Sequence, residues 1–415
     1  VDLKDRGTLH AKEWPCIHLG KYMTDSRGSG WIRPDDDESQ KATFPELFFD
    51  LVFVFALIQL SYTLTEDFGA TALYEAAILI LALWWLWVHI TWLTNLLNTD
   101  KGPVRMFLFG LMFAGVLLAI ALPKAFESQG IIFASIYTVM QLSRSLFGLY
   151  VFHGVDHGNS KTFGRITVWL VVSSFFWIAG GLTDSLTYRL ILWTVAIAIE
   201  YIGPLVRYYV PGIRAHDDEQ ILLSGEHLAE RCALFVIICL GETILTTGKT
   251  ATEYMNSGLT FVVFCAAFLS TVIMWWIYFH HGQEQASEKA EETAEPEKIV
   301  QNLFNYGHLP IVAGIILTAV GEDFSLSNSH DPATLRESLA IMGGPILFLL
   351  GNIGVKVAAS HVRPVSHFVG VGVLVALLFV PDVPLYGLQI ASAAILLLVA
   401  IWEYVALRKN AEAMG

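Results

Sequence analysis

Twelve apolar blocks of about twenty residues each limit what this chain can fold into. They fall at approximately 46–65, 71–95, 104–122, 130–152, 164–181, 187–210, 228–247, 257–280, 303–320, 337–358, 365–381 and 385–407. Backbone polar groups inside a bilayer have no water to bond, so such blocks must satisfy themselves as helices. The composition agrees: 54% of the 415 residues are hydrophobic and 15% are charged, where a soluble domain carries about a quarter charged. The expectation is an all-α, polytopic transmembrane helix bundle of about twelve spans, whose first partner is the lipid bilayer. Residues 1–43 are polar, with Gly28, Gly30 and Pro34 as breakers, and read as a cytoplasmic N-terminal tail. That tail holds no apolar signal-peptide core, so the first span is expected to direct insertion.

Charge placement orients the spans. The tails and every second connection carry 21 of the 25 Lys and Arg residues; the other side keeps Lys124, Arg189, Lys249 and Arg336. Positive residues gather on the cytoplasmic side, which puts both termini there. The net charge of −13 comes largely from Asp35-Asp-Asp-Glu38 and from Glu284 to Glu297, and no basic patch supports a nucleic-acid partner. Cys16, Cys232, Cys239 and Cys265 lack metal-ligand spacing. Nucleophile triads, phosphate-cradling glycine loops and zinc-protease helices are absent, and no cofactor is expected.

The two halves share a pattern. Trp84-Trp-Leu-Trp-Val-His89 in the second span and Trp275-Trp-Ile-Tyr-Phe-His280 in the eighth both read Trp-Trp-x-aromatic-x-His. Ala114-Gly115 matches Ala313-Gly314, and Glu200-Tyr201 matches Glu403-Tyr404, each pair in corresponding spans. Glu46 and Glu230 open the first and seventh spans. Four such matches in one order predict two parallel six-helix repeats, residues 44–212 and 213–410.

Two stretches carry a resemblance. Pro45-Glu-Leu-Phe-Phe-Asp-Leu-Val-Phe-Val-Phe-Ala-Leu57 resembles the opening signature of the low-temperature-requirement protein A (LtrA) family of multipass membrane proteins. Glu226-His-Leu-Ala-Glu-Arg-Cys-Ala-Leu-Phe-Val-Ile-Ile-Cys-Leu-Gly-Glu242 resembles that family's second signature. The similarity runs from about residue 44 to 408. It implies a multipass membrane fold and supplies no biochemical activity. Phe48-Phe-Asp50 is also similar to the Phe-Ser-Asp motif of a potassium-channel family built from two six-helix repeats. Here Phe replaces the Ser, and Ala233-Leu234 stands where a second motif would fall.

Charged residues inside spans are the candidate site. Glu46 and Asp50 stand at i and i+4, so they share a face that continues through Phe53, Leu57 and Ser61. A carboxylate at membrane depth must face protein or a wet cavity, unless it only caps the helix at the boundary. His227, Arg231, Phe235, Ile238 and Glu242 share a face of the seventh span, with Arg231 and Glu242 roughly 16 Å apart. Each therefore needs a partner from another helix. Glu200 and Arg207 share a face of the sixth span across Pro204, which should kink it; Arg207 could also snorkel to the interface. Arg144 is a candidate partner for Asp50 or Glu200. His89 and His280 each follow a Trp at i−4. The first reading is an interfacial aromatic belt, the second a pair of proton carriers, the third metal or haem ligands.

The functional expectation is a channel or secondary transporter for a small cation, or for a small solute coupled to protons. Buried carboxylates at the repeat interface would form its path. The alternative is a membrane-embedded enzyme acting on a lipid or isoprenoid, with Asp50, Glu200 or Glu242 as acid or base. A non-catalytic scaffold would need none of these charges. A homodimer is among the assemblies expected.

Overall fold

The structure is a computed structural model and describes residues 29–33, 41–213, 223–255, 257–280, 301–359 and 363–414. Cys16 and the acidic stretches at 35–38 and 284–297 lie outside the described residues. Twelve α-helices are present among those described. They are α1 Phe44–Glu66, α2 Ala70–Leu96, α3 Gly102–Ala121, α4 Gly130–Phe152, α5 His157–Leu182, α6 Leu186–Leu205, α7 Gly225–Tyr254, α8 Gly258–Phe279, α9 His308–Ser327, α10 Leu335–Ala359, α11 Val365–Leu377 and α12 Leu385–Met414. Each expected span coincides with one of them. Ten are long and apolar enough to cross a membrane. The other two are α7, which carries charges along its length, and α11, with only 13 residues.

Local chemistry sets the helix starts. Pro45 occupies the first turn of α1, where its missing N–H costs nothing. Glu46 reaches back to accept from the Thr43 backbone N–H at 2.8 Å and its hydroxyl at 2.9 Å. Asp156 caps α5, accepting from the N–H groups of Gly158 and Asn159. Ser224 and Ser257 do the same for α7 and α8.

Large apolar side chains cover the outside: Phe48, Phe113, Phe175, Phe261, Trp275 and Trp276 are all exposed. Water would penalise that surface, whereas lipid accepts it. In the first half, α1 packs on α2 and α3, α4 on α3 and α5, and α6 on α5 and α2. In the second, α7 packs on α8 and α9, α10 on α9 and α11, and α12 on α11 and α8. The halves meet where α1 and α2 lie against α7 and α9.

Arg189 locks one end of the first half. Its Nε donates to Gly180 O, Nη1 to the carbonyls of Ala125 and Glu127, and Nη2 to Thr183 O, at 2.7–3.3 Å. These four acceptors belong to the end of α5 and the α3–α4 connection. A single ammonium cannot span them, so Arg189→Lys should give little rescue over Arg189→Gln. We expect either to cost about 2–3 kcal/mol, read as a lower melting temperature of the detergent-purified protein.

Helix α6 ends at Leu205, short of the expected 210. Tyr208 N–H turns back to Gly203 O at 2.7 Å, and Arg207 and Tyr208 take left-handed φ values of 52° and 48°. A Cβ on Gly203 would sit 2.6 Å from the Tyr208 ring, so glycine there lets the ring fold in. The correction follows: Arg207 does not continue the Glu200 face. It projects to the exposed surface while Tyr208 is buried.

Candidate functional site

Glu46 and Asp50 of α1 meet Arg231 of α7. Arg231 Nη2 lies 2.5 Å from Asp50 Oδ1 and its Nε donates to Oδ2 at 3.1 Å, a two-pronged pairing. Its Nη1 lies 3.2 Å from Glu46 Oε1 and donates to Thr94 Oγ1 at 3.2 Å. Trp87 Nε1 donates to Asp50 Oδ1 at 2.7 Å, and the guanidinium sits 6.0 Å from the Trp87 ring centre. Glu46, Asp50, His227 and Arg231 have at most 0% exposure. Helices α1, α2 and α7 thus converge on one charge cluster at the junction of the halves.

A fourth element closes it. Arg33 precedes the helices, yet its Nη2 lies 3.1 Å from Glu46 Oε1 and donates to Thr94 O at 2.9 Å. The segment is held by Arg33 N–H to Leu96 O, by Asn98 N–H to Trp31 O, and by Trp31 stacked on Phe147. Two carboxylates therefore face two guanidiniums.

His227 adds a hydrogen bond and no charge. Asn95 is oriented by the Ser224 backbone, whose N–H donates to Oδ1 and whose carbonyl accepts from Nδ2. The remaining Nδ2 proton points at His227 Nδ1, 3.0 Å away, so Nδ1 accepts. Nε2 then carries the proton and donates to Glu46 at 3.2 Å. Glu230 sits at the rim, accepting from the Ala42 N–H at 2.8 Å.

A second cluster lies wholly within the first half. Glu200 Oε2 accepts from Tyr137 OH at 2.6 Å and Gln141 Nε2 at 3.1 Å, while Oε1 accepts from Ser173 Oγ and Trp177 Nε1 at 2.9 Å. Arg144 reaches this acid through a relay, its Nε donating to Gln141 Oε1 at 2.7 Å. Arg144 Nη2 is buried without a hydrogen-bond partner. Of its two expected partners, Arg144 serves Glu200 and leaves Asp50 to Arg231. His89 is buried beside this cluster. Its Nδ1 donates to Trp85 O at 3.0 Å and its Nε2 accepts from Tyr208 OH at 2.8 Å.

Two expectations need correction. Trp84, Trp85 and Trp87 are interior and not an interfacial belt: Trp84 Nε1 donates to Asn305 O at 2.6 Å, and Trp87 serves Asp50. Of the two tryptophan motifs, the exposed Trp275 and Trp276 fit a belt, with His280 stacked on Trp276. Glu242 is half-buried with no ion-pair partner among the described residues. The buried stripe of its helix drifts from His227, Arg231 and Phe235 through Cys239 to Thr243, Thr246, Thr247 and Thr250, and Glu242 falls beside it.

Other groups carried no expectation. Lys356 of α10 pairs with Glu403 of α12 and lies 3.2 Å from His367 Nε2 of α11. Glu322 of α9 is fully buried, two residues past the expected end of its span at 320; extending that span by one turn would have exposed it as a membrane acid. Arg33 carried no signal beyond its place in a polar tail. No three His, Cys, Asp or Glu side chains among the described residues converge to hold a metal.

No solved structure matches the chain. A Rhizobium meliloti (strain 1021) protein, "Uncharacterized protein RA0937", is 54% identical over 379 residues, covering 91% of this chain and 92% of its own. The family model for bacterial low temperature requirement A protein (LtrA) matches residues 41–401. The chain therefore belongs to the LtrA family of membrane proteins.

Proposed function

We propose that the protein moves a small cation, or a small solute coupled to protons, along the seam between two parallel six-helix halves. The observation that carries this is the Glu46–Asp50–Arg231 cluster. Charges are costly in a bilayer, and those kept there mark pathways more often than packing. This cluster lies where α1 and α2 meet α7 and α9, the seam about which two repeats would rock or gate. The repeat arrangement is supported by the matched neighbours: α1–α2 and α1–α3 correspond to α7–α8 and α7–α9, and α4–α5–α6 to α10–α11–α12. In this proposal all twelve helices span, both termini are cytoplasmic, and Arg33 approaches Glu46 from that side. Glu200 with Arg144, and Glu403 with Lys356, then stand at matching places in the two halves.

The test removes the charges as a pair. Asp50→Asn with Arg231→Gln removes the two charges together, strands neither, and leaves Glu46 to Arg33. In proteoliposomes, H+, Na+ and K+ fluxes are measured for wild type and the double variant. We expect wild-type flux to fall at least tenfold in the double variant, with an unchanged elution profile in detergent. Equal flux would make the cluster a structural rivet, and no wild-type flux of any of the three ions would sink the cation proposal.

A further inference from the structure

We propose that Glu322 binds a proton or another small monovalent cation from solution, at a site separate from the Glu46–Asp50 cluster. Glu322 lies between α9 and α7, 1% exposed. Thr247 donates its hydroxyl to Oε2, and Oε1 is buried with no hydrogen-bond partner among the described residues. A buried carboxylate so poorly served is expensive, by several kcal/mol per ion after relaxation. Elsewhere in this protein the cost is offset by donors: Asp50 and Glu46 have guanidiniums, and Glu200 has four hydrogen bonds.

Among the described residues no side-chain cation pairs with Glu322, and the Thr247 hydroxyl is the one hydrogen-bond donor its carboxyl has. On α7, Lys249 turns to α1, its Nζ 5.1 Å from the Tyr62 ring centre, while Glu242 is half-buried and Glu253 exposed. At the start of α10, Glu337 is occupied by the Thr334 N–H, and Arg336 is exposed. On α1 and its exit, Glu66 and Asp67 are exposed, and Glu75 of α2 feels Asp67, Glu127 and Arg189. Helix α8 has no charged residue. On α12, Glu403 is taken by Lys356. In this proposal the compensating charge comes from solution, and a lone carboxylate calls for a single charge.

Hydroxyls and a second carboxylate lie beside it. Asp323, half-buried, accepts from Thr250 Oγ1 at 2.6 Å, one turn of α7 beyond Thr247. Thr243, Thr246, Thr247 and Thr250 form a buried hydroxyl stripe on α7. The site lies about 24 Å along α7 from Arg231, toward the other end of the bundle.

The test uses purified full-length protein and does not require transport. Infrared difference spectra between acid and alkaline buffer report protonated carboxyls, while calorimetric titration with NaCl or KCl against choline chloride reports alkali cations. A carboxyl band, or a saturable Na+ or K+ signal, present in wild type and lost in Glu322→Gln supports the proposal and identifies the ion. Thr247→Val keeps the carboxyl but removes its one hydrogen bond, so it should displace the band or weaken the titration at least threefold. Should wild type, Glu322→Gln and Thr247→Val give the same spectra and titrations, the proposal is wrong. If Glu322→Gln does not fold, an unmoved signal in Thr247→Val overturns it alone. Neither outcome bears on the flux test at Asp50 and Arg231.

Discussion

Arg231→Ala should abolish recovery of folded protein, and Asp50→Asn in the same chain should restore a substantial part of it. Arg231 is fully buried and contacts Glu46 and Asp50 of α1, with 2.5 Å and 3.1 Å contacts to Asp50. Its loss leaves Asp50 with only the Trp87 N–H, and Glu46 with Arg33 as its remaining charge. Breaking a buried pair from one side costs about 3–5 kcal/mol, a large part of the ~5–15 kcal/mol that ordinarily holds a protein folded. The second substitution removes the stranded charge, so the double variant should be more stable than Arg231→Ala alone. Monodisperse yield in detergent and melting temperature measure both steps. Equal loss in single and double variants would mean that packing around the guanidinium, and not charge, holds α1 to α7.

Much of this cluster was legible in the sequence, and the reason is energetic. Acids within a span have few options, so the i, i+4 spacing of Glu46 and Asp50 directed both toward protein. Their burial follows from that one constraint. The need of Arg231 for a partner from another helix was equally readable, because Glu242 is too far along α7. The identity of the partner was not. Arg144 and Arg231 are alike as sequence, and the choice depends on α1 lying against α7 rather than α4, a long-range fact.

Other failures have local causes. Arg207 was placed on the Glu200 face by extending a helical period through a turn that ends it at Leu205. The signal was Gly203, whose missing side chain admits the Tyr208 ring, but a glycine near Pro204 reads equally well as a kink. The tryptophans of α2 were read as a belt because aromatic residues favour membrane interfaces. Indole N–H groups also favour buried acceptors, and here Asn305 and Asp50 supply them from distant parts of the chain. Glu242 falls beside the buried face because buried positions four apart drift round a helix of 3.6 residues per turn, carrying the stripe from Arg231 and Phe235 to Cys239 and Thr243.

Gly344→Leu should separate α9 from α10 and lower the melting temperature more than any apolar substitution on the lipid-facing surface. These two helices run antiparallel with glycines where their backbones touch. A Cβ at Gly344 would sit 2.4 Å from Thr318 N, one at Gly314 2.4 Å from Phe348 N, and one at Gly321 2.5 Å from Ala340 O. Gly351 faces Ile311 in the same way, with a backbone atom at 2.7 Å. The obstacles are main chain, so no rotamer change can make room, and the helices must move apart. Overpacking ordinarily costs about 1–3 kcal/mol; here a shift would also strip close contacts along the whole seam, which drives helix association in membranes. The displacement would reach Glu322, since Gly321 is its neighbour in the seam. Gly372→Leu on α11, where a Cβ meets nothing within 4 Å, is the control and should leave the melting temperature near wild type. A Gly344→Leu protein as stable as that control would mean that α9 and α10 do not approach at glycine distance.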